Sequence, residues 1–316
     1  MNIDQFLNPI ILFFFLGVLA HFVKSDFQLP QSITKFISYY LLMSIGLKGG
    51  YELHENPITI QVLLILISSL AGSLLIGWYV FHFFRKRTDI ENAAGIASTY
   101  GSVSAVTFIT AVSFLEQHEI SYGGYMVAAL ALLELPAIIQ GIFFVRKNQP
   151  DQQLGLSALI VDTLTHGSVF ILLGSVLIGA ISDHDLMEDI KPFTHSIFKG
   201  MLCFFLMDLG IVAGHRMSFL PRLGKRVIVF GLIAPLVHAI AFILVGRLVG
   251  ASPGDAYLMG ILGGGASYIA VPAAFRTAVP EADPGIYVPL ALGITFPVNI
   301  LFGIPLYYQI VQWLWQ

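Results

Sequence analysis

Residues 58–84 read ITIQVLLILISSLAGSLLIGWYVFHFF and contain no Asp, Glu, Lys or Arg. A stretch this long and apolar on every side spans a hydrocarbon layer, which takes about 20 residues of helix. Its apolar residues do not alternate with polar ones, as the strands of a membrane barrel must. A helix is then the remaining way to satisfy its backbone in lipid. Comparable runs predict spans near residues 8–23, 33–50, 58–84, 93–114, 122–146, 160–182, 195–214, 226–250, 256–279 and 286–314. The composition agrees: 56% of the 316 residues are hydrophobic and 11% are charged, and the mean hydropathy is +0.81. A soluble domain carries roughly 25% charged residues. The chain is therefore predicted to be an all-α integral membrane protein with about ten transmembrane helices.

The basic residues set its orientation. Lys24, Lys35, Arg85, Lys86, Arg87, Arg146, Lys147, Arg216, Arg222, Lys225, Arg226 and Arg276 fall in the loops of one side, and Lys48, Lys191, Lys199 and Arg247 on the other. The positive-inside rule makes the first side cytoplasmic and puts both termini outside. The net charge of −3 is then a record of topology, and no nucleic-acid footprint is present. The opening MNIDQFLNPI carries an acid and no Lys or Arg, so the first span is expected to be retained and not cleaved as a signal peptide. A single cysteine, Cys203, allows no disulfide framework.

Three motifs recur in the same order in the two halves. SIGLKGG (44–50) resembles DLGIVAG (208–214), GSVSAVTF (101–108) resembles GASYIAVP (265–272), and LELPAI (133–138) resembles ITFPVN (294–299). The chain reads as five plus five helices, 1–147 and 159–316, joined by a short cytoplasmic linker at 148–158. An odd number of helices per half inverts the second half relative to the first.

The fourth span, AAGIASTYGSVSAVTFITAVSF, weakens its own helix with Gly95 and Gly101 and supplies the hydroxyls of Ser102, Ser104 and Thr107. Its counterpart MGILGGGASYIAVPAAF carries Gly263, Gly264, Gly265 and Pro272, a stronger interruption. Two interrupted, crossing helices at equivalent repeat positions point to a transport site. Half-helices that begin in mid-membrane aim unpaired amides and about half a positive charge at the gap, which suits a small anion. Close helix packing is the alternative use of such small residues.

Two carboxylates fall inside spans: Glu134 in ALLELPAII and Asp208 in FFLMDLGIV. An acid in the membrane costs several kcal/mol unless it meets a cavity, a partner or an ion. The structural alternative is a pair with Lys48 or Lys199; the functional one is Na+ coordination or proton carriage. Pro136 frees a backbone carbonyl beside Glu134. Thr295 stands opposite Glu134 in the repeat and completes the candidate sodium set of Glu134, Asp208 and Thr295. His166 follows Asp162 by four residues near a span end, and these two, with His82 and His238, are expected to pack or sit at the interface. Nucleotide-binding glycine loops, His/Cys metal spacings and a nucleophile elbow are absent from the sequence, so no enzyme is expected.

The motifs IGLKGG (45–50), YGSVSAVTF (100–108), EISYGGY (119–125), LELPAI (133–138), GLIAPLVH (231–238) and AFRTAVPEADPGIYV (274–288) resemble those of the sodium-dependent bicarbonate transporter family along nearly the whole chain. The resemblance implies a ten-helix inverted repeat with a gate-like scaffold and a mobile core, in a homotrimer of a plasma or inner membrane. It implies bicarbonate bound between the two interrupted helices, Na+ as the coupling ion and no other cofactor. Carried over by position, Gly101, Ser102, Ser104 and Thr107 look like anion-site residues, with Gly265, Ala266 and Ser267 from the second half. Glu134 stands where the family usually has Asp. The sequence departs at Tyr268, where an acid is usual, and at Ala270, where a serine is usual. It also lacks the long cytoplasmic insertion of cyanobacterial members, which argues against a PII-like regulatory partner. The other transport readings are a cation/proton antiporter, which would carry adjacent acids at the crossing, and a sodium-coupled organic-anion symporter. A non-transporting scaffold would need no interrupted helices in register.

Overall fold

The computed structural model describes residues 9–55, 59–148, 161, 164–220 and 223–316. The predicted linker lies outside them apart from Asn148, as do Asp162 and Arg222. The described residues are helical and contain no strand. In chain order the helices are α1 (Pro9–Phe22), α2 (Gln31–Glu55), α3 (Ile60–Phe84), α4 (Ile90–Gly101), α5 (Ala105–Gln117) and α6 (Tyr125–Asn148). There follow α7 (Gly167–Ile181), α8 (His184–Lys191), α9 (Phe198–Met217), α10 (Lys225–Leu248), α11 (Pro253–Gly263) and α12 (Ala270–Ala278). A final helix, α13 (Pro284–Leu314), contains π turns at Ala291–Thr295 and Asn299–Gly303. Pro289, Pro297 and Pro305 each remove a backbone donor along it, which is the local cause of such irregular turns.

Among the described residues, six helical segments are long and apolar enough to cross a membrane: Ile60–Phe84, Ile90–Gln117, Tyr125–Asn148, His184–Met217, Lys225–Leu248 and Pro284–Leu314. The protein is a multi-pass membrane protein. Helices α1 and α7 are apolar but short, with 14 and 15 residues, or about 21–23 Å at 1.5 Å per residue against a core of roughly 30 Å. Helix α2 has 25 residues but carries Lys35, Lys48, Glu52 and Glu55. The α11–α12 segment is cut by its break.

Helix α3 shows how a membrane helix divides its surface. Thr59 caps it by accepting from the Val62 amide at 3.3 Å. Ile65, Ser69, Ser73, Ile76 and Val80 are buried against the protein, whereas Leu63, Leu64, Ile67, Leu75 and Trp78 are exposed on the lipid side. The interrupted pair α4–α5 lies at the other extreme and is almost wholly enclosed, so its polar groups are kept from lipid.

The helices pack as two groups. One pairs α1 with α9 and α2 with α7. Gly17 and Gly210 face each other across the first pair, where a Cβ on Gly17 would strike the Met207 carbonyl; small residues permit this backbone approach. The other group packs α3, α4 and α6 together, α10 on α11, α12 against α4 and α6, and α5 against α11. Each half of one interrupted helix thus touches an element of the other repeat.

Candidate crossed-helix site

Helix α4 ends where Gly101 is followed by residues that leave the helical conformation. Ser102 still donates its amide to Ser98 at 2.9 Å, but its backbone is extended, as is that of Ser104. Ser104 then starts α5: its Oγ accepts from the Thr107 amide at 3.3 Å and from the Thr107 hydroxyl at 2.8 Å. This is an N-cap formed in mid-chain from the predicted hydroxyls. The second interruption differs: Ile269, the residue before α12, has helical backbone angles and makes no side-chain cap. Helix α11 closes with Gly264 donating to Gly260 at 2.8 Å, and Ser267 Oγ accepts from the Val271 amide of α12 at 3.3 Å.

The two breaks touch. The Ser267 amide donates to the Thr99 carbonyl at 2.8 Å. A Cβ on Gly265 would lie 3.0 Å from the Ser104 backbone nitrogen, so the crossing is as close as it is because that position has no side chain. Carbonyls released by the breaks find protein donors. Thr99 is taken by Ser267, Gly101 by the Ser73 hydroxyl, and Gly264 by the Asn299 amide group at 2.7 Å. Tyr307 holds Asn299 in place with a hydroxyl donation of 2.8 Å. The first-turn residues of the new helices, Ala105, Val106 and Ala270, instead line a small cavity, and first-turn amides have no carbonyl partner within their own helix. The freed carbonyls are covered by the protein and two helix starts adjoin the cavity, so the local field favours negative charge.

The remaining walls of the cavity are Val103, Ser104 and Ile109 of the first break and α5, Ser267, Tyr268 and Ile269 of the second break, and Glu134 of α6. Ser38 and Leu42 of α2, Ser168 of α7 and Phe205 of α9 close it from the other group of helices. Its volume is about 30 Å³. A water needs roughly 10–15 Å³, so the cavity accommodates a bare cation or two to three waters, and it must widen to accept a four-atom oxyanion with its coupling ion. The Tyr268 hydroxyl lies towards Ser104 but outside hydrogen-bonding geometry, and it is unpaired, as are the Ser102 and Thr99 hydroxyls.

Glu134 lines this cavity with no hydrogen bond or ion pair to another described residue. Lys48, its possible partner in the sequence, is engaged elsewhere: its Nζ lies 2.6 Å from Glu116 and 4.0 Å from Glu52. The other two members of the sodium set are not at the cavity. Asp208 on α9 accepts from the Thr34 hydroxyl of α2 at 3.0 Å. The Thr295 hydroxyl, buried in α13, shares a 2.7 Å hydrogen bond with Tyr100 and donates to the Gly231 carbonyl at 3.2 Å. Gly101 also stands outside the lining; a Cβ there would lie 3.2 Å from the Gly77 Cα and the Ser73 carbonyl oxygen of α3, so its smallness serves helix packing. Ser102, Thr107, Gly265 and Ala266 are buried at the crossing behind the lining residues.

Ser38, Ser168 and Phe205 were not legible as site residues, since an isolated serine or phenylalanine in an apolar helix carries no motif. Among the histidines, His238 is buried, with Nε2 hydrogen-bonded to the Tyr79 hydroxyl and Nδ1 unpaired. His82 Nδ1 meets the Trp78 carbonyl at 2.8 Å.

A multi-pass protein with two broken helices crossed at a cavity lined by one carboxylate that has no partner among the described residues has the build of a membrane transporter. Residues 9–312 match the Na+-dependent bicarbonate transporter superfamily, and the chain belongs to that family. No curated protein matches the chain.

Proposed function

We propose that the protein imports bicarbonate, or a similar small anion, together with Na+ by alternating access across a plasma or inner membrane. The observation that carries this reading is the contact of the two broken helices beside the unpaired Glu134 carboxylate. In it, the anion docks at the starts of α5 and α12, between the Ser104 and Ser267 hydroxyls, with Ser102, Thr107, Gly265 and Ala266 shaping the crossing and Gly101 packing α4 on α3 behind it. Na+ sits at Glu134. Neither ion crosses a low-dielectric interior cheaply alone, whereas the pair largely cancels its own charge.

The reading includes ten spans in two inverted halves, 1–147 and 159–316, both termini outside, and assembly as a homotrimer. The packing supports the repeat: exchanging the halves converts the α1–α9 pair into the α7–α2 pair, and α3 on α4 into α10 on α11. It also exchanges Ser104 and Ser267, whose hydroxyls each accept from an amide at the start of a half-helix, to within a residue. In this scheme α1, α2, α7 and α9 form the scaffold, and the crossed helices with α3, α6, α10 and α13 form the moving core. The single acid at the crossing favours symport over a cation/proton antiporter.

Labelled bicarbonate uptake into proteoliposomes, with and without an inward Na+ gradient, tests the proposal. Wild type is expected to show gradient-dependent uptake that falls at least ten-fold in Glu134→Ala and in Ser104→Ala. Gradient-dependent uptake of a different anion, with none of bicarbonate, would refute the substrate; uptake unchanged by both substitutions would refute the site.

A further inference from the structure

The crossed-helix cavity has a larger neighbour on the same helix faces. We infer that a cavity of about 280 Å³ between α2, α5, α8 and α9 is the outer antechamber of the transport path, closed off from the crossing by an apolar neck of Leu42, Ile45, Ile109 and Val112; the inference rests on the reading of the crossed helices as the transport site. Three helices line both cavities in register. On α2, Ser38 and Leu42 face the crossing, and Ile45, Lys48 and Glu52 face the larger cavity. These positions are spaced by three or four and so share one face of the helix. On α5, Ala105 and Ile109 are followed at the same spacing by Val112 and Glu116. On α9, Phe205 lines the inner cavity and Phe198 the outer one, about two turns apart. A single seam therefore runs from the broken helices to the larger cavity. In the orientation set by the basic residues, α5 rises from mid-membrane to the non-cytoplasmic side, which makes the larger cavity the outer one.

The chemistry changes along that seam. The lining passes from one cavity to the other between Leu42 and Ile45 on α2 and between Ile109 and Val112 on α5. These four apolar side chains are 1–3% exposed and extend over one helical turn, or about 5 Å. A hydrophobic constriction gates by dewetting: while it is dry, an ion would have to shed its water to pass. Beyond the neck the walls are charged. Glu52, Glu116 and Glu188 line the antechamber with Lys48 and Lys191, and each lysine is paired with an acid, Lys48 with Glu116 at 2.6 Å and Lys191 with Glu188 at 2.7 Å. The antechamber is thus polar but carries little net charge, so it admits water and either ion and traps neither. Helix α8 forms its outer wall. None of the residues of α8 is buried, and His184 Nδ1 shares a 2.8 Å hydrogen bond with the Tyr51 hydroxyl of α2.

Labelling by a membrane-impermeant methanethiosulfonate in intact cells expressing the protein tests the path, with wild type, whose single cysteine is Cys203, as the background. Val112→Cys, at the outer end of the neck, is expected to be labelled from outside, and its labelling to lower bicarbonate uptake at least ten-fold. Ile109→Cys, one turn further in, is expected to react at least ten-fold more slowly. Ser44→Cys, in the antechamber wall, repeats the first measurement without touching the neck. Labelling of Val112→Cys and Ser44→Cys no faster than background, or labelling that leaves uptake unchanged, would overturn the antechamber. Equal rates in Val112→Cys and Ile109→Cys would overturn the neck. Absence of Na+-dependent bicarbonate uptake by unlabelled wild type would overturn the site reading and the path with it, while the labelling, read without transport, still reports whether the cavity opens to the outside.

Discussion

Ser267 donates its amide to the Thr99 carbonyl at 2.8 Å, so the two broken helices are joined main chain to main chain where they cross. A residue of the second break completes the hydrogen bonding of the first. Neither half is complete alone, and the position of one half-helix fixes that of the other.

Gly265 is the steric condition for that contact. In Gly265→Ala the new Cβ would lie 3.0 Å from the Ser104 backbone nitrogen, a group on main chain that cannot rotate away. Overpacking of this kind costs about 1–3 kcal/mol. We expect a lower melting temperature in detergent and at least a ten-fold loss of uptake, measured on the same purified protein.

The hydroxyls of Ser104 and Ser102 should separate structure from binding. Ser104 caps α5 and accepts from Thr107, so Ser104→Ala loses about 1 kcal/mol as well as anion affinity. The Ser102 hydroxyl is buried without a partner, so Ser102→Ala removes no hydrogen bond and should leave the melting temperature unchanged or raised. Thermal unfolding of the two variants side by side checks the contrast.

Asn299 joins the second break to α13 by donating to Gly264 and accepting from Tyr307. Asn299→Leu leaves a buried carbonyl and a buried hydroxyl unpaired, at roughly 1–3 kcal/mol per group. A melting temperature equal to that of wild type would show that the released carbonyl finds another donor.

Lys48–Glu116 is an ion pair that joins different helices, α2 and α5. Their side chains are 37% and 17% exposed, between the regimes of surface and buried pairs. Lys48→Met should cost about 1–2 kcal/mol, with part of the loss recovered when Glu116→Gln is added. A double-mutant cycle on unfolding free energy measures the coupling.

Six of the predicted spans and the two interruptions were legible because the signals are local: long apolar runs, and glycine, serine and proline where leucine would be safer. The expectation that small residues form a site divides by position. Gly265 is at the crossing, whereas its repeat mate Gly101 serves the packing of α4 on α3, the alternative use of a small residue. The environments of Asp208 and Thr295 were hidden because their partners, Thr34 and Tyr100, lie 174 and 195 residues away in sequence. Glu134 was legible as an acid in an apolar span; its lack of a protein partner was not, because that depends on where Lys48 finds its own.

The central claim is that the anion and Na+ occupy one site and bind cooperatively through Glu134. The most direct measurement is the bicarbonate dissociation constant of purified protein with and without Na+, compared with Glu134→Gln. Coupling between two ligands is reciprocal and is typically worth 5–150-fold in affinity. Na+ is expected to tighten bicarbonate binding at least ten-fold in wild type and to leave that of the variant unchanged. Equal bicarbonate affinity in wild type with and without Na+, or undiminished tightening in Glu134→Gln, would contradict it.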